Sequence, residues 1–261
     1  MFNANDSPGT IAALAPWFHN LHLPDGSQTA PDHPLGDFPR CKWAQIAPGL
    51  PADLTGWEVL DLGCTAGFYS FELARRGARV TAIDRNPHYL AQARWAAAQY
   101  GLEDRIDFQQ RQLYSLADCR KSYDLVLFLG VFYHLRYPLL GLDIVSRLVR
   151  RLLVFQTLML PGEEVCATDD PGIFGGELLS DPGWPKMAFI EKRLADDPTN
   201  WWIPNHAGVE AMLRSSGLRV IQRPGPEIYL CQPDPENLSC AVTWNREEFE
   251  AATGNEARGK G

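Results

Sequence analysis

Between Trp57 and Leu158 the apolar positions come in short runs that alternate with stretches of helical spacing. Trp57–Leu62 is a compact apolar run closing on Asp and Gly, which reads as a buried strand. Phe68–Arg76 carries apolar residues at helical spacing and stops at Gly77, a natural residue just past a helix end. Arg79–Ile83 is a β-branched run ending at Asp84. Pro87 then opens a helix through Tyr100, at a position where a missing N–H costs little, and Gly101 closes it. Ile106–Gln109 and Tyr123–Phe128 predict further strands, Leu139–Val149 a helix and Arg151–Leu158 another strand. Strands alternating with helices of this length predict a doubly wound, mostly parallel sheet joined by right-handed crossovers.

Two stretches break the rhythm. Residues 1–44, part of a Pro- and Gly-rich opening that runs to Gly56, predict a loop-dominated N-terminal cap with short helices. After the fifth strand, residues 159–205 form a long insertion with one helical piece near Met187–Leu194 and the pair Trp201-Trp202. A loop of that length inside a domain is unusual and commonly functional, so it reads as a lid over the site. His206–Ser215 predicts a helix closed by Gly217. Leu218–Gln222, Glu227–Cys231 and Ser239–Trp244 predict the closing strands, the last two as a hairpin. The main domain thus spans 45–249, and 250–261 reads as a flexible tail.

Composition narrows this picture. With 261 residues, 45% hydrophobic and 21% charged, one large core is feasible without a second domain. The longest apolar region, Leu139–Leu160, is interrupted by Asp143, Arg147, Arg150 and Arg151, too much charge for a membrane span. No basic segment followed by an apolar run marks a secretory signal, so a cytoplasmic location is expected. The six cysteines include no C-x-x-C pair, and no metal site is expected. A net charge of −8 argues against a broad nucleic-acid surface, although a local basic groove remains compatible with it.

Chemistry concentrates in the loop after the first strand, Asp61-Leu62-Gly63-Cys64-Thr65-Ala66-Gly67. Ligands of open α/β sheets bind beyond the carboxyl ends of the strands. Gly63 and Gly67 flank a tight strand-to-helix turn, and the following helix aims its unpaired N–H groups into the crevice. Asp84 ends the second strand, where a carboxylate can accept two hydrogen bonds from a ribose diol. A dinucleotide fingerprint would need glycines at 63, 65 and 68, but 65 is Thr and 68 is Phe. The spacing D-x-G-x-x-x-G instead suits a nucleoside that bears an amino acid and no phosphate, with Asp61 binding its ammonium directly or through water.

Val59-Leu60-Asp61-Leu62-Gly63-Cys64 followed by Gly67-Phe68 resembles motif I of the class I S-adenosylmethionine-dependent methyltransferases. Asp84 falls at that family's ribose-binding acid, and Tyr123-Asp124-Leu125-Val126 resembles the strand lining the methionine end. The resemblance covers residues 57–160 well. It implies a seven-stranded α/β sheet, with Arg85, Gln112, Leu113 and Leu129 also lining the cofactor. One departure stands out: the family usually has Gly where this chain has Thr65. A β-branched residue resists positive φ, so the turn is expected to differ locally or to sit further from the cofactor.

Gly130-Val131-Phe132-Tyr133-His134-Leu135-Arg136-Tyr137-Pro138-Leu139 is similar to a segment of the tRNA wobble-uridine 5-oxyacetic acid methyltransferase branch, as are Lys42-Trp43 and Leu54-Thr55-Gly56. That branch transfers a carboxymethyl group from carboxy-S-adenosylmethionine, and the resemblance implies that Lys42 and Tyr133 help bind the extra carboxylate. The branch's C-terminal arginine has no assignable equivalent here. Ordinary S-adenosyl-L-methionine is the expected cofactor and carboxy-S-adenosyl-L-methionine the alternative.

Methyl transfer is an in-line displacement at a cationic sulfonium, so positioning supplies much of the rate. His134 is the candidate base for a protonated acceptor, with an orienting or packing role as the alternative. Tyr133 can set its ring or hydroxyl near the sulfonium, or serve as a half-buried aromatic at a helix start. Arg136 is a candidate clamp for an anionic substrate, or a solvated surface residue. Trp17, His19 and His22 form an aromatic-imidazole cluster, the two histidines spaced to share one helical face; they line a substrate pocket or pack on the core. Trp201 is a candidate pocket wall, and of two adjacent tryptophans at least one should be core. Arg147, Arg150 and Arg151 read as a solvated helix end. The expectation is therefore methyl transfer to a small-molecule acceptor. A tRNA wobble-uridine (carboxy)methyltransferase and a non-catalytic sensor of the cofactor are the rivals, and the oligomeric state is left open.

Overall fold

The apolar runs of the sequence become strands whose central members are buried on both faces, as parallel strands covered by helices must be. The computed structural model of the chain describes residues 7–166, 172, 175–236 and 242–254. By contact it divides into two units, Met1–Ser115 with Tyr123–Leu127 and Leu116–Ser122 with Phe128–Gly261.

The first unit opens with α1 (Ser7–Ala13) and α2 (Phe38–Ile46). It continues through β1 (Glu58–Leu62), α3 (Phe68–Arg75), β2 (Arg79–Asp84), α4 (Pro87–Tyr100) and β3 (Ile106–Gln110), and takes most of β4 (Tyr123–Leu129). β1 pairs parallel with β2, setting Asp61 opposite Ala82, and β2 pairs parallel with β3, setting Asp84 opposite Gln110. Val59, Leu60, Leu125 and Val126 have no exposed surface, and each such side chain contributes roughly 1.5–3 kcal/mol. α4 starts where the Asn86 side chain accepts the His88 N–H and ends at Gly101, whose φ of 64° a Cβ would strain.

The second unit holds α5 (Pro138–Leu148), β5 (Val149–Gln156), β6 (Met187–Phe189), β7 (Trp202–Pro204), α6 (His206–Ser215), β8 (Leu218–Gly225), β9 (Ile228–Pro233) and α7 (Val242–Thr253). β8 and β9 form an antiparallel hairpin, and β9 runs antiparallel to β5 with Gln156 opposite Ile228. Phe132, Phe155 and Tyr229 pack in sequence, ring centroids 5.3 and 6.4 Å apart. The strand order is β3-β2-β1-β4-β5-β9-β8, the mostly parallel seven-stranded sheet expected.

Three expectations change. The helical piece near Met187–Leu194 is instead β6, paired antiparallel with β7, Phe189 opposite Trp202; cross-strand aromatic packing outweighs a weak helical spacing. Of the strand expected at Ser239–Trp244, residues 239–241 lie outside the described residues and Val242 begins α7. That helix continues to Thr253, so the start of the expected tail is ordered, with Phe249 buried under the Arg147 guanidinium. Among the described residues no helix is long and apolar enough to cross a membrane, and no cluster of His, Cys, Asp and Glu could hold a metal.

Candidate functional site

In the first unit, the loop after β1 is held to the end of β2 by its own backbone. The N–H groups of Gly63 and Cys64 both donate to the carbonyl of Ile83, at 2.8 and 3.0 Å. Thr65 takes a positive φ of 51°, a conformation its β-branch resists. Two bonds compensate. Thr65 N–H donates to Asp84 Oδ2 at 3.1 Å, and its hydroxyl donates to the Gly63 carbonyl at 3.2 Å. Gly67, φ 89°, then enters α3, and a Cβ there would stand 2.7 Å from the Phe71 ring.

Two carboxylates frame this loop. Asp61 is buried, and Ser70 on α3 donates its hydroxyl to Asp61 Oδ2 at 2.6 Å. Burial lifts the Asp61 carboxyl to about 6; the Ser70 bond opposes that rise and the nearby Asp84 charge adds to it. Asp84 is raised as well, again by burial, against bonds from the Asn86 and Thr65 N–H groups. Each of its oxygens keeps a second lone pair for a ribose hydroxyl. Two buried acids that resist ionisation form a site suited to a cation. Cys64 is buried beside them, its thiol pushed far up by burial, which makes it a wall and not a nucleophile. Arg85 and Gln112 line a cleft of about 510 Å³ with Asn86, Pro87, Gln110 and Arg111, while Leu113 is buried next to it in the chain.

The cap residues of the same unit separate. Trp17 is buried, its indole N–H donating to the Ile11 carbonyl at 2.8 Å and its ring edge-on to Trp95. It also lines a cavity of about 410 Å³ with Pro8, Ile11, Ala12 and Ala15. His19 is buried among the rings of Phe18, Phe38, Phe68 and Tyr69, which drives its imidazole down to about 3, helped by His33 and Lys42. His22 lies in a β-bridge with Gln28, not on a helix, and its Nε2 meets Asp37 Oδ2 at 2.7 Å. The two histidines therefore do not converge. Lys42 on α2 lies 6.0 Å from the Phe38 ring.

In the second unit, the turn after β4 is tied to the insertion. Leu129 ends the strand half-buried, and Phe132–His134 form a short 3-10 turn. Trp201 N–H donates to the Tyr133 carbonyl at 2.8 Å. Arg136 sits over both the Phe189 and Trp201 rings, 5.2 and 5.1 Å from their centroids, and those rings stack on each other. Its charge thus pins the β6–β7 hairpin through cation–π contact. His134 Nδ1 lies 2.9 Å from Thr199 Oγ1 and 3.2 Å from the Thr199 carbonyl. The Thr199 hydroxyl already donates to Asp197 Oδ1 at 2.6 Å. Both groups facing Nδ1 are then acceptors, so Nδ1 carries a proton. Tyr133 is largely buried, and burial with the Glu227 and Asp197 charges pushes its phenol up to about 12.

Sequence reasoning missed Ser70, Asp197, Thr199, Gln156 and Glu227. Ser70 had a detectable signal, a polar residue on the buried face of α3. The other four acquire their positions from contacts between distant segments.

The fold is that of the class I S-adenosylmethionine-dependent methyltransferases, and the loop after β1 resembles theirs. Residues 59–152 match the family model described as methyltransferase domain. The chain is 27% identical over 206 residues to the tRNA U34 carboxymethyltransferase of Cellvibrio japonicus, covering 78% of this chain and 54% of that protein. It is 41% identical over 88 residues to the ubiquinone biosynthesis O-methyltransferase of Nitrosococcus oceani, 33% of this chain and 36% of that protein. The chain spans about half the length of the carboxymethyltransferases it matches. Among solved structures, the N-terminal domain of EvdMO1 in the presence of SAH and D-fucose superimposes with a TM-score of 0.58 at 18% identity, over 90% of this chain and 97% of that one.

Proposed function

We propose that this chain transfers the methyl group of S-adenosylmethionine to a small-molecule acceptor. The observation that carries the reading is the pair of buried acids around the Thr65 turn, Asp61 for the ammonium and Asp84 for the ribose diol. The cleft lined by Arg85 and Gln112 takes the adenine. When bound, the cofactor supplies an electrophilic methyl carbon on a cationic sulfur. An acceptor taking that methyl group would give up its own proton to a base of this chain. His134 is the base, its ring oriented by the Thr199 side chain. Tyr133, kept protonated by its surroundings, orients the acceptor with its hydroxyl. Arg136 and Trp201 support this turn through the insertion.

A second reading, carboxymethyl or methyl transfer to the wobble uridine of tRNA, is favoured by the similarity to the tRNA U34 carboxymethyltransferases of Cellvibrio japonicus and Idiomarina loihiensis. The net charge of −8 weighs against it. Mass spectrometry of ligands that co-purify with the protein tests both. S-adenosylmethionine or S-adenosylhomocysteine supports the first reading, the carboxylated cofactor with salt-sensitive tRNA retention supports the second, and a dinucleotide refutes both.

A further inference from the structure

The insertion holds two consecutive residues other than glycine at positive φ, Ala195 at 50° and Asp196 at 59°. Asp tolerates that region in part and Ala resists it, so the pair marks a strained turn. Strain of this kind persists where surrounding bonds over-determine the backbone, and it clusters at active sites. Leu194 and Asp197 exchange backbone hydrogen bonds across the turn, at 3.2 and 3.1 Å, and Asn200 Nδ2 donates to the Leu194 carbonyl at 2.8 Å. The group the turn presents is the Asp197 carboxylate. Its Oδ1 accepts the Thr199 N–H at 2.7 Å and the Thr199 hydroxyl at 2.6 Å. A hydroxyl has one proton, so the Thr199 oxygen is left to accept from His134 Nδ1, 2.9 Å away. Asp197 Oδ2 lies 3.9 Å from the same nitrogen. Carboxylate, hydroxyl and imidazole thus form one chain of hydrogen bonds, and all three belong to the second unit.

The methyl-transfer reading gives His134 the acceptor's proton and gives Asp197 no part. A ring that takes a proton becomes a cation, and a carboxylate within about 4 Å favours that charged form. The neighbouring ionisable groups have other engagements. Tyr133 lies against His134 with ring centroids 4.3 Å apart and stays protonated, under the Glu227 and Asp197 charges. Arg136 is stacked on Phe189 and Trp201, and Arg193 pairs with Asp196 at 3.6 Å. We propose that Asp197, acting through the Thr199 hydroxyl, is the positioning residue of His134: it holds the ring in one orientation and balances the charge the ring gains with the acceptor's proton. The proposal rests on the methyl-transfer reading and names the residue behind its base.

The test is an NMR titration of the His134 imidazole in the full chain and in Asp197→Asn, Thr199→Val and Thr199→Ser, each checked for folding by its amide spectrum. Asp197→Asn removes the negative charge and should lower the His134 midpoint by about half a unit to one unit, a shift kept small by the partial exposure of both side chains. Thr199→Val breaks the chain of bonds and should lose the preference for a proton on Nδ1. Thr199→Ser restores the hydroxyl and should keep both the native midpoint and the Nδ1 proton. In a chain that binds S-adenosylmethionine by calorimetry, an unchanged midpoint in Asp197→Asn or an unchanged Nδ1 preference in Thr199→Val overturns the positioning role alone. The Thr199 pair keeps the test decisive where Asp197→Asn does not fold. Failure of the native chain to bind S-adenosylmethionine refutes the methyl-transfer reading, and Asp197 then loses the reaction it serves whatever the midpoints.

Discussion

Replacing Ser70 with Ala isolates what holds the charge on Asp61. The Ser70 hydroxyl donates to the buried carboxylate at 2.6 Å from a side chain with no exposed surface, so water does not take its place. A hydrogen bond to a charged group is worth about 1.5–3 kcal/mol. Its loss falls almost entirely on the ionised form and raises the carboxyl by one to two pH units at about 1.4 kcal/mol each. The titration midpoint then moves from about 6 to between about 7 and 8. At pH 7 the ionised fraction drops by about twofold to tenfold, and affinity for a cofactor held by its ammonium drops in proportion. At pH 9 both proteins are ionised and the difference shrinks. The assay is calorimetric titration with S-adenosylmethionine from pH 5.5 to 9. The stability of the unliganded chain supplies a second readout with a defined sign. A carboxyl raised on folding from 3.8 to about 6 costs stability above pH 6, roughly 3 kcal/mol, and that cost disappears as the pH falls toward 4. Ser70→Ala should therefore destabilise at pH 8 and be nearly neutral at pH 4, apart from a few tenths gained from the helix propensity of Ala. Identical affinity midpoints in the two proteins, or a loss that persists undiminished at pH 9, would refute the role given to Asp61.

At Thr65 the Gly and Ala variants both lose the hydroxyl bond to Gly63, so their difference reports the backbone. With φ of 51°, Thr65→Gly should be the more stable by about 1 kcal/mol in urea unfolding, and the reverse order would mean that the position is not left-handed. For His134, long-range nitrogen–proton NMR should show the proton on Nδ1 in the native chain. Thr199→Val removes its hydroxyl partner and should raise the population of the other tautomer; an Nε2-protonated ring in the native chain would exclude the role of that atom as base.

The first five strands and the turn after β1 were legible in the sequence because each is fixed locally. A strand buried on both faces is a continuous apolar run, and the loop's chemistry depends on Asp61, Gly63 and Gly67 within seven positions and on Asp84 at the end of the next strand. Thr65 was legible as a departure, but not its outcome, because the bond to Asp84 that steadies it joins two strands. The misassigned pieces share a cause. Met187–Leu194 is too short for its apolar spacing to separate a helix from a strand, and its partner Trp202–Pro204 lies more than a dozen residues away. The β-branched pair Val242-Thr243 favours a strand locally, yet the helix it begins packs Phe249 under Arg147. His19 and His22 share helical spacing without a helix, since Thr29 and Gln28 draw that segment into a loop. Gln156 and Glu227 are 71 residues apart and meet because β5 and β9 run antiparallel in one register.

The insertion grips the Tyr133–Arg136 turn at three successive points: the Trp201 amide, the Thr199 side chain and the Phe189–Trp201 stack. The residues proposed to face an acceptor are thus braced by a segment of the second unit, while the Asp61 loop belongs to the first. Changes in length or sequence between β5 and α6 can re-aim His134 and Tyr133. Descendants of such a chain could exchange acceptors by rewriting one insertion, and a graft of residues 159–205 from a relative is the corresponding route for redesign.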